Sequence, residues 1–260
     1  DLIKGALIKI DELESELESL KAEKNEPIAI IGMGCRFPGG ANNPEALWDL
    51  LATGTNAITE VPSTRWDIHQ LYDADLNAPG KMNTRFGGFV NNVTDFDPEF
   101  FGISPREAAS MDPQQRLLLE VCWEAIENAD INPQSLYGVS AGVFIGIIAY
   151  DYGQRILGIN RINEIDAYAG TGSSLGVAAG RLSYTLGLTG PSLSVDTACS
   201  SSLVTVHLAC ESLKRKECNL AIAGGVVLAG VVAHSTWTSR KNKPRQAEPL
   251  PQEKNIEPAA

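Results

Sequence analysis

The chain has 260 residues, 43% of them hydrophobic, enough to bury a sizeable core in one large domain or two small ones. A formal charge of −11 argues against nucleic acid as a partner, which calls for a basic stripe; acidity by itself names no partner. Five scattered cysteines (Cys35, Cys122, Cys199, Cys210, Cys218) include no C-x-x-C pair, which fits reduced thiols better than disulfides or a metal site.

Along the chain, residues 1–24 read as a separate unit. Ile3, Ala6, Ile10, Leu13, Leu17 and Leu20 are spaced 3-4-3-4-3, an a/d seam with Glu12, Glu14, Glu16, Glu18, Lys21 and Lys24 off it. A coiled-coil helix for dimerisation or docking is expected, with a lone amphipathic helix as the plainer alternative. Asn25-Glu26-Pro27 breaks it. Pro27–Met33 is an apolar strand entering a glycine turn. Gly32-Met33-Gly34 invites a dinucleotide-binding reading, but Phe37 stands where the third glycine would be, so that reading is rejected. Asn43–Ala52 is a short helix with Asn43 as its cap. Residues 53–105 are rich in Gly, Pro, Asn and Asp and read as loops with short elements, which places His69 in a loop.

A helix opens at Ser104/Pro105, breaks near Met111-Asp112-Pro113, and a second runs from Pro113 to Ala129. Leu117, Leu118, Val121, Cys122, Ala125 and Ile126 give the second one apolar face. Asp112 is its expected N-cap, with Gln114, Gln115 and Arg116 in capping and surface ion pairs. Ala141–Ile148 is a buried strand. Tyr168–Leu182 carries Gly170, Gly172, Gly176 and Gly180, which permit close helix packing. Pro191–Val195 is a short strand, Ser202–Leu213 a helix, and Leu220–Leu228 a last strand. The alternation predicts an α/β fold. The longest small-apolar run, Leu220–Ala233, is 14 residues, too short for a bilayer span. From His234 the chain turns polar and Pro/Lys/Glu-rich and is expected to be disordered. No signal peptide opens the chain, and it starts at Asp1, so a cytoplasmic protein seen as a fragment is expected.

The most informative stretch is Ser194-Val-Asp-Thr-Ala-Cys-Ser-Ser-Ser-Leu203. It sets Cys199 between a strand and a helix, where unpaired N–H groups and the helix macrodipole favour a negative sulfur. This is the layout of a nucleophile elbow, and the competing reading is an inert, half-buried cysteine. Asp196, Thr197 and Ser200–Ser202 are expected to shape the turn and cap the helix.

That segment resembles the active-site region of β-ketoacyl synthases, and in particular the ketosynthase domains of modular type I polyketide synthases. Glu26–Gly40, Phe96–Ala108, Met111–Glu120 and Gly180–Tyr184 agree with it in order. The resemblance covers about Glu26 to Leu228. It implies the N-terminal half of a thiolase-like layered fold, here residues 26–232, between the helix of 1–24 and a divergent tail of 233–260. It further implies a homodimer, with 1–24 used for dimerisation or for docking to an upstream synthase subunit.

In the implied chemistry Cys199 takes an acyl chain from a thioester, and its backbone N–H serves as an oxyanion donor. The substrates, an acyl thioester and a malonyl-type extender, ride on phosphopantetheine attached to a partner acyl carrier protein; no cofactor is expected on this chain. Two histidines would then assist decarboxylative Claisen condensation, one in His-Gly-Thr-Gly-Thr and one in a later Gly-His pair. This sequence has neither motif. Its histidines are His69, His207 and His234. His207 lies eight residues past Cys199 on the expected helix, about 12 Å at 1.5 Å per residue, and reads as a packed helix residue.

Three functions follow from this. The chain is a ketosynthase segment of polyketide or fatty-acid elongation, inactive in condensation as it stands. Alternatively, it is a non-catalytic module for dimerisation or carrier binding. A coenzyme-A-dependent thiolase-fold acyltransferase is the third. As half a fold, the chain is expected to expose apolar faces and to be poorly soluble or a loose dimer.

Overall fold

The computed structural model describes residues 2–24, 26–158, 165–225 and 228–234. The expected disordered tail lies outside these residues from position 235 on. Helix α1 (Leu2–Lys24) precedes strand β1 (Ile28–Cys35). Then come α2 (Pro44–Ala52) and a small excursion of β2 (Ile58–Glu60), α3 (Ile68–Leu71) and β3 (Phe86–Gly88). Helices α4 (Pro105–Ser110) and α5 (Pro113–Asn128) lead to β4 (Ala141–Gly146). After α6 (Asp151–Ile156), α7 (Ala167–Ser173) and α8 (Val177–Leu186) come β5 (Ser192–Val195), α9 (Ser201–Lys214), β6 (Leu220–Gly225) and β7 (Leu228–His234).

Local chemistry fixes most of the helix starts. Asn43, Ser104 and Asp112 each accept a backbone N–H of the first turn, and Pro follows each of them at the first helical position. Gly187, at φ 65°, closes α8 in the left-handed region.

Five strands form one mixed sheet in the order β1-β7-β6-β4-β5. β4 runs parallel to β5 and β6, and β7 is antiparallel to both of its neighbours. β5 therefore lies at an edge. All six residues of β4 and of β6 are buried, as expected of strands covered on both faces. Their side chains alternate between two cores. Val143, Ile145, Leu220 and Ile222 pack with Leu118, Val121 and Ile126 of α5 and Ala178 and Leu182 of α8. Phe144, Ala221 and Ala223 pack with Ala209 and Leu213 of α9. The body is a three-layer α/β sandwich with α9 on the face opposite α5 and α8.

Several expectations are corrected here. Gly32 and Gly34 belong to β1 rather than to a turn. A Cβ on Gly32 would lie 2.2 Å from the Ala125 carbonyl oxygen, and one on Gly34 2.5 Å from that of Val121. These glycines let α5 lie directly on the strand. Of the four glycines in 168–182, only Gly172 is closely approached: a Cβ there would lie 2.1 Å from the Ser110 carbonyl oxygen. The last expected strand is two strands, β6 and β7. His234 lies in β7, opposite Ile28, and His69 lies exposed in the single turn of α3.

Along α1 the seam is exposed from Ile3 to Leu17, with each of Ile3, Ile10, Leu13 and Leu17 at least half accessible. No helix among the described residues is long and apolar enough to cross a membrane.

Candidate active site

Cys199 stands between β5 and α9. Ser200 occupies the N-cap position of α9. The preceding residue, Ala198, has φ 55°, a left-handed conformation that costs a non-glycine residue about 1–2 kcal/mol. Short polar side chains hold that turn. The Asp196 carboxylate accepts the Ala198 N–H at 3.0 Å. Ser201 Oγ accepts the Thr197 N–H at 2.9 Å and donates to the Ala198 carbonyl at 2.7 Å. Ser200 Oγ donates to the Thr197 carbonyl at 2.8 Å. Ser200 makes no side-chain cap, so the serines act on the turn rather than on the helix end, contrary to the capping expected of them.

Glycines bring the helix down onto the strand ends. A Cβ on Gly146, the last residue of β4, would sit 2.9 Å from the Ser201 carbonyl carbon, and one on Gly225, ending β6, 2.3 Å from Ser202 Oγ. Thr205, fully buried, ties the next turn to the sheet by donating to the Gly224 carbonyl at 3.1 Å. The first turn of α9 thus sits at the carboxyl ends of two parallel strands.

Of the five cysteines, Cys199 alone is exposed; Cys35, Cys122 and Cys218 are buried and Cys210 is half-buried. Burial pushes the Cys122 thiol up to about 12 and raises Cys35 and Cys218 as well. An inert core thiol is therefore the state of those three.

α9 buries Ser201, Thr205, Ala209, Ser212 and Leu213 against the sheet. Leu203 and Val206 of this helix point outward, 77% and 38% exposed. His207 lies on that outward side, a correction to its reading as a packed residue. Large side chains do not fit where the helix backbone touches strand ends, so small ones face the sheet. His69, His207 and His234 are separate from Cys199 in the fold order, on α3, two turns along α9, and on β7. Among the described residues no group of three or more His, Cys, Asp or Glu side chains could hold a metal ion.

Gln115 is also misplaced by the sequence. It is 2% exposed, not a surface residue, and its amide lies 3.1–3.2 Å from the carbonyls of Thr171, Gly172 and Ser174. Asp112 is the N-cap expected of it, with burial raising its carboxyl above the usual range. Ala198, Gly146, Gly225 and Thr205 carry no signal by type. A glycine ending each apolar strand is legible as a site of close approach, but the partner is not.

The β-ketoacyl synthase N-terminal domain family matches residues 25–242, and the chain belongs to that family. Its relatives place it further, in the type I modular polyketide synthase group. It is 52% identical over 240 residues to a phenolphthiocerol synthesis type I polyketide synthase of Mycobacterium marinum, covering 92% of this chain and 11% of that protein. It is 56% identical over 216 residues to one of the phenolphthiocerol/phthiocerol polyketide synthase subunits of Mycobacterium tuberculosis, covering 82% of this chain and 14% of that protein. The chain thus spans only a small fraction of the curated relatives it matches. Among solved structures it is similar to an oxazolomycin ketosynthase domain of Streptomyces albus, with TM-score 0.75 at 30% identity over 83% of this chain and 43% of that one. It is also similar to the ketosynthase of module 6 of the Bacillus subtilis bacillaene synthase, with TM-score 0.65 at 40% identity over 76% and 31%.

Proposed function

We propose that Cys199 is the acyl acceptor of a polyketide chain-elongating ketosynthase, within the N-terminal half of a thiolase-like fold. Its sulfur attacks the carbonyl carbon of an acyl thioester carried on the phosphopantetheine of an acyl carrier protein. A new C–S bond forms, the carrier's C–S bond breaks, and the proton lost by Cys199 ends on the departing carrier thiol. The Cys199 N–H supplies one donor to the oxyanion, a group whose removal costs about 10²–10³ in rate in comparable sites. The observation that carries this reading is that the one exposed cysteine stands on a left-handed turn at the start of α9. The following step, decarboxylative condensation with a malonyl-type extender, requires histidines in two motifs that residues 1–260 do not contain.

The second copy is the partner we assign to α1. In its heptads Ile3, Ile10 and Leu17 take position a, and Ala6 and Leu13 position d. A parallel, in-register pair then sets Lys9 at g opposite Glu14 at e of the other copy, an attractive pairing.

Incubation with an acyl N-acetylcysteamine thioester and intact-mass measurement tests the function. One acyl group is expected on the wild-type chain and none on Cys199→Ala, with no condensation product when a malonyl thioester is added. Equal acylation of Cys199→Ala would refute the assignment.

A further inference from the structure

We infer that Glu107, Arg181 and Gln115, acting through Ser192 and Ser194, are positioning residues for the cysteine turn. The strand that delivers this turn is weakly held. β5 has four residues, lies at the sheet edge and, among the described strands, pairs with β4 alone. Ser192 and Leu193 are exposed. Its second anchorage is α8.

Two serines make that anchorage. α8 begins at Gly176, which has no side chain to cap it. Ser194 Oγ accepts the N–H of Ala179, in the first turn of α8, at 3.2 Å, meeting from a neighbouring strand one of the donors that a helix start leaves open. Further along, Ser183 Oγ donates to Ser192 Oγ at 3.0 Å. The strand entering the Asp196–Ser200 turn is therefore pinned to α8 at both of its serines.

α8 is in turn seated by a half-buried ionic cluster. Arg181, with its side chain 10% exposed, pairs through Nη1 with Glu107 Oε1 at 2.6 Å and donates through Nε to Gln115 Oε1 at 2.9 Å. The same Gln115 holds the carbonyls of Thr171, Gly172 and Ser174 through Nε2, and these lie on the run from α7 into α8. One amide thus fixes both the body of α8, through Arg181, and its lead-in. The arrangement joins α4, α5, α7 and α8, while the apolar packing of α5 on β1 and of β4 on β6 does not run through it. Its loss is expected to act locally, on β5 and the turn beyond.

The inference rests on the acyl-acceptor reading for its kinetic readout alone. The test is amide hydrogen exchange and thioester acylation of the full chain in the wild type, Ser194→Ala, Ser194→Thr and Gln115→Leu. Ser194→Ala is expected to speed exchange over 192–201 about tenfold and to slow acylation by a similar factor, the effect of one lost hydrogen bond. Exchange in β4 and β6 should stay unchanged. Ser194→Thr, which keeps the hydroxyl, should restore both, and Gln115→Leu should exceed Ser194→Ala. Should Gln115→Leu fail to fold, Arg181→Lys, which keeps the charge but loses the Nε donor to Gln115, takes its place: exchange over 192–201 is again expected to rise, and unchanged exchange there overturns the role of the cluster. Unchanged exchange over 192–201 in Ser194→Ala, or exchange raised equally across the sheet, overturns the inference. A wild-type chain that takes no acyl group but shows the local exchange pattern would refute the acyl-acceptor reading and leave the positioning role standing.

Discussion

Ala198 concentrates the cost of the site in one residue. A methyl side chain tolerates φ 55°; a β-branched one does so far less well. Ala198→Val should lower stability by about 1–2 kcal/mol in urea unfolding and slow acylation of Cys199. At the opposite extreme stands Cys122, an ordinary 9.0 thiol raised to about 12 by burial. Its neutral form favours the fold in full below pH 9. As pH rises from there towards 12 the unfolded chain ionises first, so stability falls by up to about 1.4 kcal/mol per unit. Cys122→Val should remove that share of the alkaline loss, measured as urea midpoints at about pH 8 and about pH 11. The strand–turn–helix setting of Cys199 was legible because the ten-residue stretch Ser194–Leu203 specifies all three. The backbone strain at Ala198 was not, because nothing in an alanine's chemistry marks a positive φ.

At the level of elements, capping and periodicity were read well where the interaction is local. Asn43, Ser104 and Asp112 act within three residues of themselves. Gln115 was misread because its carbonyl partners lie 56–59 residues away, beyond any pattern in the window around it. His207 was misread for a related reason. Periodicity identifies a stripe, but close contact with strand ends selects the small residues for the sheet. Gly146→Ala tests this: its Cβ would meet backbone atoms of Ser201 and Ser202 at 2.9 Å, displacing the first turn of α9. A loss of about 1–3 kcal/mol in denaturant unfolding is expected. The seam of α1 makes its own prediction. Leu13→Asp should convert the dimer proposed above to monomer in sedimentation equilibrium, while leaving the melting of the sheet domain unchanged.

On the scale of the whole molecule, the alternation of strands and helices announced an α/β fold, but not the order β1-β7-β6-β4-β5. Strand neighbours depend on contacts between segments as far apart in sequence as Ile28 and His234. The outward side of α9 leaves Leu203 and Val206 exposed, an apolar surface of the kind that promotes association. Leu203→Glu should raise the solubility limit of the chain and reduce binding of a hydrophobic dye, with no loss of acylation.

The acyl-acceptor role of Cys199 is the claim on which the rest depends, and peptide-level mapping tests it most directly. After a short exposure of the folded chain to an acyl N-acetylcysteamine thioester and digestion at low pH, the acyl group should be found on the peptide holding Cys199. It should be absent from those holding Cys35, Cys122, Cys210 and Cys218. Acyl groups spread over several cysteines, or concentrated on Cys210, would contradict the account.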